Sequence, residues 1–302
     1  MCGVAGYLNF SSNQNSCRSI LTMMGKSINH RGPDDSGIWL DSEKKIGLAH
    51  QRLSIIDLSD NASQPMISNS KRYVLVFNGE IYNFLKIKEK LISKGYSFKS
   101  SSDTEVLLAL FDIYGVEPAL NYLDGMFAFA VWDNIDNNLI IARDRIGEKP
   151  IYYYLKDNIL VFASELKAIE KHPSFKKEID LFSLEQYVKY SYVPSPYCIY
   201  KFTKKLNPAE IIKFEIKKNT ILKNSQQWWN YSKNYQIQKN VIHNFDDNLH
   251  INECEKILAN VVKKQMISDA PIGSFLSGGI DSSLITLLMQ NNSNKKIKTF
   301  TI

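Results

Sequence analysis

The sequence predicts an α+β protein in which antiparallel sheets are layered between helices, followed by the start of an α/β unit built on a parallel sheet. Three observations predict it. Short apolar runs rich in β-branched and aromatic residues recur up to about residue 200. Several are joined by short turn segments, which implies hairpins and antiparallel pairing. Near the C-terminus a strand, a glycine turn and a helix follow one another, the unit from which parallel sheets are made.

The strands read in order as RYVLVFNG, GMFAFAVWD, NLIIARD, PIYYYL and NILVFASEL, with turns at 134–138 and 156–158. The unbroken apolar character of Met126 to Trp132 predicts a strand covered on both faces, as in a sandwich of sheets between helices. Two amphipathic helices punctuate these strands. In NFLKIKEKLISKG, Phe84, Ile87 and Leu91 share one face and Gly95 ends the helix. In SDTEVLLALFDIYG, Ser102 and Glu105 have capping-box spacing and Gly115 is the stop. From about 203 to 248 the composition shifts to Lys, Asn, Gln and Ser, interrupted by Trp228 and Trp229, which reads as a connection. Ile251, Cys254, Ile257, Leu258 and Val261 then recur at helical spacing, before DAPIGSFLSGGIDSSLITLLMQ and the strand-like KIKTFTI. The expected organisation is a first domain over 2–205, a connecting segment over 206–248 and the start of a second domain over 249–302. So short a parallel unit cannot close a sheet, so the chain is expected to be a fragment.

Composition sets the setting. The 302 residues are 44% hydrophobic, enough to bury a sizeable core. The net charge of +6 comes from 37 basic and 31 acidic residues, and the lysines are scattered, which argues against a nucleic-acid stripe. Cys2, Cys17, Cys198 and Cys254 lie far apart without metal or disulfide spacing, and a reducing cytoplasm is expected, with no metal site. No apolar run approaches the roughly 18 residues of a membrane span, so no membrane partner is expected.

Several short motifs carry chemistry. Cys2, one residue from the N-terminus, can be a nucleophile, a lipid anchor or an accident. Asn78-Gly79 can be a hairpin turn, yet a helix-like segment follows it, and an amide beside a glycine N–H can also aim two donors at one oxyanion. Arg52 can be a surface ion pair and Asp103 a helix cap. In SFLSGGIDSS, a strand turning through Gly278 and Gly279 into a helix leaves N–H groups for an anion, with phosphate the natural ligand. A plain tight turn is the other reading.

That last segment resembles the SGGxDS pyrophosphate loop of the ATP pyrophosphatases. MCGVAG, HRGPDDSG, LAHQRLSIID, FNGEIYN, SDTE, DGMFAFAVWD and ARDRIGEKPIYY stand in the order seen in glutamine-dependent asparagine synthetases. The resemblance spans residues 1 to about 200 and resumes at the pyrophosphate loop. It implies an N-terminal-nucleophile hydrolase fold, an αββα sandwich of antiparallel sheets, followed by an ATP-pyrophosphatase domain.

The resemblance also implies roles. Removal of Met1 leaves Cys2 with a free α-amine as its own base, and Gly3 is read as leaving room at that amine. Cys2 attacks the glutamine side-chain amide, and Asn78 with the Gly79 N–H holds the oxyanion. Arg52 grips the α-carboxylate, Glu80 and Asp103 take the α-ammonium, and Leu53, Ser54, Ile55 and Ile56 line the pocket through their backbone. His30, His50 and His172 are structural. Leu276, Ser277, Gly278, Gly279, Asp281 and Ser282 bind ATP, with Mg²⁺ beside its phosphates and no cofactor for the glutaminase half. The implied partners are glutamine, aspartate and ATP, in a possible homodimer. Ammonia from glutamine then amidates an aspartyl adenylate, releasing AMP and pyrophosphate. Two alternatives are a relative acting on another carboxylate, such as a sugar acid, and a non-catalytic glutamine sensor.

Overall fold

A computed structural model of the chain describes residues 1–8, 14–41, 43, 45–218, 220–238 and 247–301. Two compact units divide it: Met1–Ser54 with Ser59–Asn230, and Ile55–Leu58 with Tyr231–Ile302.

The first unit holds two six-stranded sheets. Its strands are β1 (Gly3–Leu8), β2 (Asp35–Asp41), β3 (Ile46–Arg52), β4 (Met66–Ile67), β5 (Tyr73–Ile81), β6 (Gly125–Asp133), β7 (Asn138–Arg143), β8 (Tyr152–Lys156), β9 (Ile159–Ala163), β10 (Thr203–Lys205), β11 (Glu210–Lys217) and β12 (Thr220–Gln227). One sheet runs β10-β8-β9-β1-β3-β2 and the other β12-β11-β7-β6-β5-β4, with antiparallel neighbours throughout. The hairpins β6–β7 and β8–β9 fall at the two turns read from the sequence.

The sheets pack face to face. Val4, Leu8, Leu48 and Phe162 of one meet Val76, Ala130, Trp132, Ile141 and Phe214 of the other. Helix α1 (Gln14–Ser27) covers the outer face of the first sheet, where Leu21 and Met24 pack on Ala5, Tyr7 and Ala49. On the other side α2 (Phe84–Ile92) buries Phe84, Ile87 and Leu91, and α3 (Asp103–Tyr114) sets Phe111 against Phe129, ring centroids 5.4 Å apart. With Phe129 under α3 and Ala128, Ala130 and Trp132 in the inter-sheet core, β6 is covered on both faces, which is why its sequence does not alternate. Each fully buried side chain of this size contributes about 1.5–3 kcal/mol. Close approach fixes Gly6, where a Cβ would meet Phe162 Cζ at 2.4 Å and the Gly47 carbonyl at 2.6 Å.

Two local readings are revised. Ser102 caps α3 by accepting the Thr104 N–H, but Glu105 does not return to Ser102; it accepts the N–H groups of Lys99 and Ser100 and the Ser100 hydroxyl, tying down the preceding loop. The polar segment after 206 contains β11 and β12, which extend the second sheet. Its composition misleads because only Ile221 of β12 is buried, so the strand is polar at an exposed sheet edge. Trp228 is anchored there, its Nε1 donating to the Arg143 carbonyl at 3.0 Å. Residues 239–246 of that segment lie outside the described residues.

The short helices α4 (Val116–Ala119) and α5 (Leu166–Ile169) and the longer α6 (Leu181–Tyr190) complete the first unit. The second unit has α7 (Tyr231–Gln238), α8 (Asp247–Gln265), β13 (Gly273–Phe275), α9 (Ile280–Asn291) and β14 (Lys298–Phe300), with β13 and β14 parallel. Of the apolar stripe read on α8, Leu258 packs toward Val262, Leu288 and Met289, whereas Ile251 and Ile257 are exposed. Among the described residues, no helix is long and apolar enough to cross a membrane.

Candidate active site

Strand alternation builds the site. Residues two apart share a face, so the core positions Val4 and Leu8 in β1, Ile46 and Leu48 in β3, and Val74 and Val76 in β5 define which side chains point between the sheets. Continuing each strand toward one end of the sandwich brings Cys2, His50 with Arg52, and Asn78 onto the same inner faces. His50 joins the sheets at this end: its Nε2 is 3.0 Å from the Phe77 carbonyl, and burial holds its pKa down to about 4, so it is neutral. His172 is likewise buried, and burial lowers its pKa to about 4.

The Cys2 sulfur lies 3.6 Å from the Leu53 carbonyl and 3.4 Å from the Leu53 N–H. Burial raises its thiol pKa, opposed by the bond to Leu53 and by the nearby N-terminal charge. Burial also lowers the N-terminal amine of Met1, and the positive charges of Arg31 and Lys149 push it the same way. Arg31 Nε donates to the Cys2 carbonyl at 2.9 Å, and its Nη1 donates to Glu165 Oε1 at 2.9 Å. Glu165 also pairs with Lys167 and His30; these bonds outweigh its burial and hold the carboxyl at about 2. A Cβ at Gly3 would meet Ile28 Cδ1 at 2.9 Å, so this position is also close-packed against the Ile28 side chain.

Asn78 is 1% exposed, and its amide nitrogen has no hydrogen-bond partner. A buried unpaired donor costs about 1–3 kcal/mol, so the site holds an unmet demand for an acceptor. Gly79 adds a second donor by geometry. N–H directions alternate along β5; Phe77 N–H donates to Gln64 Oε1 and Ile81 N–H to Asp103 Oδ2, both away from β6. The Gly79 N–H between them faces the same edge. Its lack of a side chain is dictated by β6, because a Cβ would meet the Met126 carbonyl at 2.3 Å and Phe127 Cα at 2.7 Å.

The charged residues surround these donors. Asp103 is 6% exposed at the first turn of α3, and burial pushes its pKa up to about 6 against the bond from Ile81. Glu80, half-buried, is raised by burial and pulled back by Lys149 and the N-terminus. Arg52, 5% exposed, donates Nη1 to the Ser59 carbonyl at 2.9 Å. The backbone beyond it is fixed by Asp34, whose N–H donates to the Arg52 carbonyl and whose carboxylate accepts the Ser54 N–H at 2.8 Å. Ile55 and Ile56 belong to the other compact unit.

Motif reading missed the supports. In RDRIGEKP, Asp144 is fully buried and accepts the N–H groups of Phe127, Gly147, Glu148 and Lys149. Arg143 donates to the carbonyls of Gly147, Lys149 and Leu206. This double clamp gives the loop one conformation, with Gly147 at φ +76°. Gln64, which bridges Phe77 and Thr104, carried no sequence signal.

In the second unit the glycine turn forms between β13 and α9. The Leu276 N–H donates to the Phe300 carbonyl, Gly278 has φ +82°, and Gly279 starts the helix with no side-chain cap. Ser277 and Ser282 hydroxyls are 3.0 Å apart, Ser282 Oγ also donates to the Gly279 carbonyl, and Asp281 lies in the first helical turn. Uncapped N–H groups with two hydroxyls fit a phosphate. Among the described residues no group of three or more His, Cys, Asp or Glu could hold a metal ion.

A half-buried thiol at the N-terminus and a buried, unpaired amide at the same end of an αββα sandwich define an N-terminal-nucleophile amidotransferase unit. Comparison with known proteins agrees: residues 1–229 match the family described as a glutamine amidotransferase domain, and residues 253–302 match asparagine synthase. A putative asparagine synthetase [glutamine-hydrolyzing] 2 of Methanocaldococcus jannaschii is 36% identical, over 100% of this chain and 59% of its own length. Asparagine synthetase [glutamine-hydrolyzing] 3 of Bacillus subtilis is 34% identical, over 99% of this chain and 47% of its own. The solved glutamine phosphoribosylpyrophosphate amidotransferase of B. subtilis shares the fold, with a TM-score of 0.57 at 18% identity, covering 99% of this chain and 65% of that one. The chain belongs to the glutamine-hydrolysing asparagine synthetase family, and it spans about half the length of the curated relatives it matches.

Proposed function

We propose that this chain carries the glutaminase half, and the start of the synthetase half, of a glutamine-dependent asparagine synthetase. The buried Asn78 amide nitrogen, without a hydrogen-bond partner at the end of the sandwich where Cys2 lies, is the observation that carries the reading. Loss of Met1 exposes the Cys2 α-amine, whose ordinary pKa near 7.7–8.0 leaves a usable neutral fraction at pH 7. The amine takes the thiol proton, and the thiolate attacks the side-chain amide carbon of glutamine. Negative charge then develops on the amide oxygen, which Asn78 Nδ2 and the Gly79 N–H accommodate. The proton returns to the departing nitrogen, ammonia leaves, and water hydrolyses the thioester to glutamate and free Cys2. Arg52 binds the α-carboxylate, while Glu80 and Asp103 bind the α-ammonium, selecting free glutamine over a peptide side chain.

In the synthetase half, Leu276, Ser277, Gly278, Gly279, Asp281 and Ser282 hold the phosphates of ATP, with Mg²⁺ supplying charge neutralisation there. Ammonia amidates the aspartyl adenylate to asparagine. The intact Cys2, Asn78, Gly79, Arg52 and Asp103 favour an enzyme over a non-catalytic sensor. The test is ammonia release from glutamine by the purified chain, with labelling of Cys2 by 6-diazo-5-oxo-norleucine. Both signals are expected and Cys2→Ala abolishes both; absence of both from the wild type refutes the glutaminase reading.

A further inference from the structure

Lys149 is the strongest feature the proposed reaction leaves unused. It is 6% exposed, yet it forms no ion pair with a carboxylate among the described residues, and its Nζ lies 3.3 Å from Met1 Sδ. A buried cation without a bonded counter-charge is costly, and this one is held in place. Asp144 accepts its backbone N–H at 3.0 Å, and Arg143 donates to its carbonyl at 2.7 Å. Much of the clamp in RDRIGEKP thus fixes one lysine against the N-terminus.

We propose that Lys149 is a positioning residue whose ammonium, set beside the N-terminus, favours the neutral, proton-accepting form of the Cys2 α-amine once Met1 has been removed. This rests on the glutaminase reading above. Removing Met1 moves the amine one residue, about 3.8 Å along the chain, so it stays within the field of the same charges. The groups that face the amine are Cys2, Arg31, Lys149 and Glu80. Asp103 and Arg52 bear on the thiol, while Glu80, Glu148, Asp144 and Arg31 bear on Lys149. Burial and the two cations, Arg31 and Lys149, disfavour a protonated amine, while the Cys2 sulfur first and the Glu80 carboxylate second work against them. Arg31 is committed to Glu165 and the Cys2 carbonyl, whereas the Lys149 charge has no such partner.

The test is the pH profile of kcat/KM for glutamine hydrolysis in wild type, Lys149→Met and Lys149→Arg. Loss of the cation moves the acid limb of Lys149→Met up by about one pH unit, a roughly tenfold loss on the limb, with recovery on the alkaline plateau. Lys149→Arg keeps the wild-type limb. An unmoved limb, or a uniform loss at every pH, overturns the proposal. A second measurement needs no activity: in a Cys2→Ala background, the α-amine is ¹³C-methylated and titrated by NMR with and without Lys149→Met. Its pKa rises by about one unit without Lys149, and equal values overturn the proposal. A wild type that neither releases ammonia nor is labelled at Cys2 refutes the glutaminase reading, while this titration still decides the effect of Lys149.

Discussion

Replacing Asn78 by Ala separates a catalytic donor from a structural one. In most cores, removing a buried amide breaks a ground-state hydrogen bond and lowers stability. Here the Nδ2 group has no partner in the folded chain, so truncation breaks no bond from that nitrogen and removes a desolvation penalty of about 1–3 kcal/mol. Stability is therefore expected to rise, or to fall by less than about 1 kcal/mol. The barrier behaves oppositely: losing one of two oxyanion donors costs about 2.7–4 kcal/mol, a drop in kcat of about 10²–10³. Activity remains because the Gly79 N–H is backbone and survives the substitution. The assay is ammonia release at saturating glutamine, beside a thermal melt of the same preparation. A kcat within about threefold of wild type, or a rate loss accompanied by a clear fall in Tm, refutes the argument.

Other perturbations follow from the same geometry. Burial holds Asp103 protonated up to about pH 6, so KM for glutamine should fall as pH rises through 6, and Asp103→Asn should raise KM and flatten that dependence. Folding favours the protonated acid, so the stability Asp103 supplies declines between pH 3.8 and about 6; a denaturant titration of wild type against Asp103→Asn reads this slope. Glu165 works in the other sense: with its carboxyl held at about 2, it stabilises the fold above its ordinary 4.5 and loses that contribution as pH falls from about 4.5 toward 2. Glu165→Gln should remove that acid dependence in melts recorded between pH 6 and 3. Gly79→Ala should destabilise by about 1–3 kcal/mol, because the atoms its Cβ meets are the Met126 carbonyl and Phe127 Cα, which cannot yield as a side chain would.

The parts of this molecule legible in its sequence are those set by local pattern. β6 and α3 follow from apolar periodicity and glycine stops, and Gly278 from the strand-to-helix turn. Cys2, Arg52, Asn78 and Asp103 were legible as motif residues, but nothing local said that β1, β3, β5 and the start of α3 carry them to one end of one core. The Arg31 bond to the Cys2 carbonyl was invisible because it joins segments 29 residues apart, and the Asp144 cradle because its partners are backbone N–H groups, which carry no residue-specific signal. β12 was hidden for another reason: an edge strand with a single buried side chain has the composition of a linker.

Because the site is made by alternation, β5 tolerates no change of phase. A one-residue insertion or deletion between Tyr73 and Asn78 would turn the amide out of the inter-sheet space and put its neighbour's side chain there. The β6–β7 and β8–β9 turns lie at the other end of the sandwich, beside Tyr73 and Leu8 respectively. This unit thus has one end where chain length is fixed to the residue and one whose turns carry none of the candidate site residues. Epitope tags or fluorophores belong at 157–158 rather than at 134–137, where Asn134 and Asp136 are bonded to Trp132, Lys71 and Arg72.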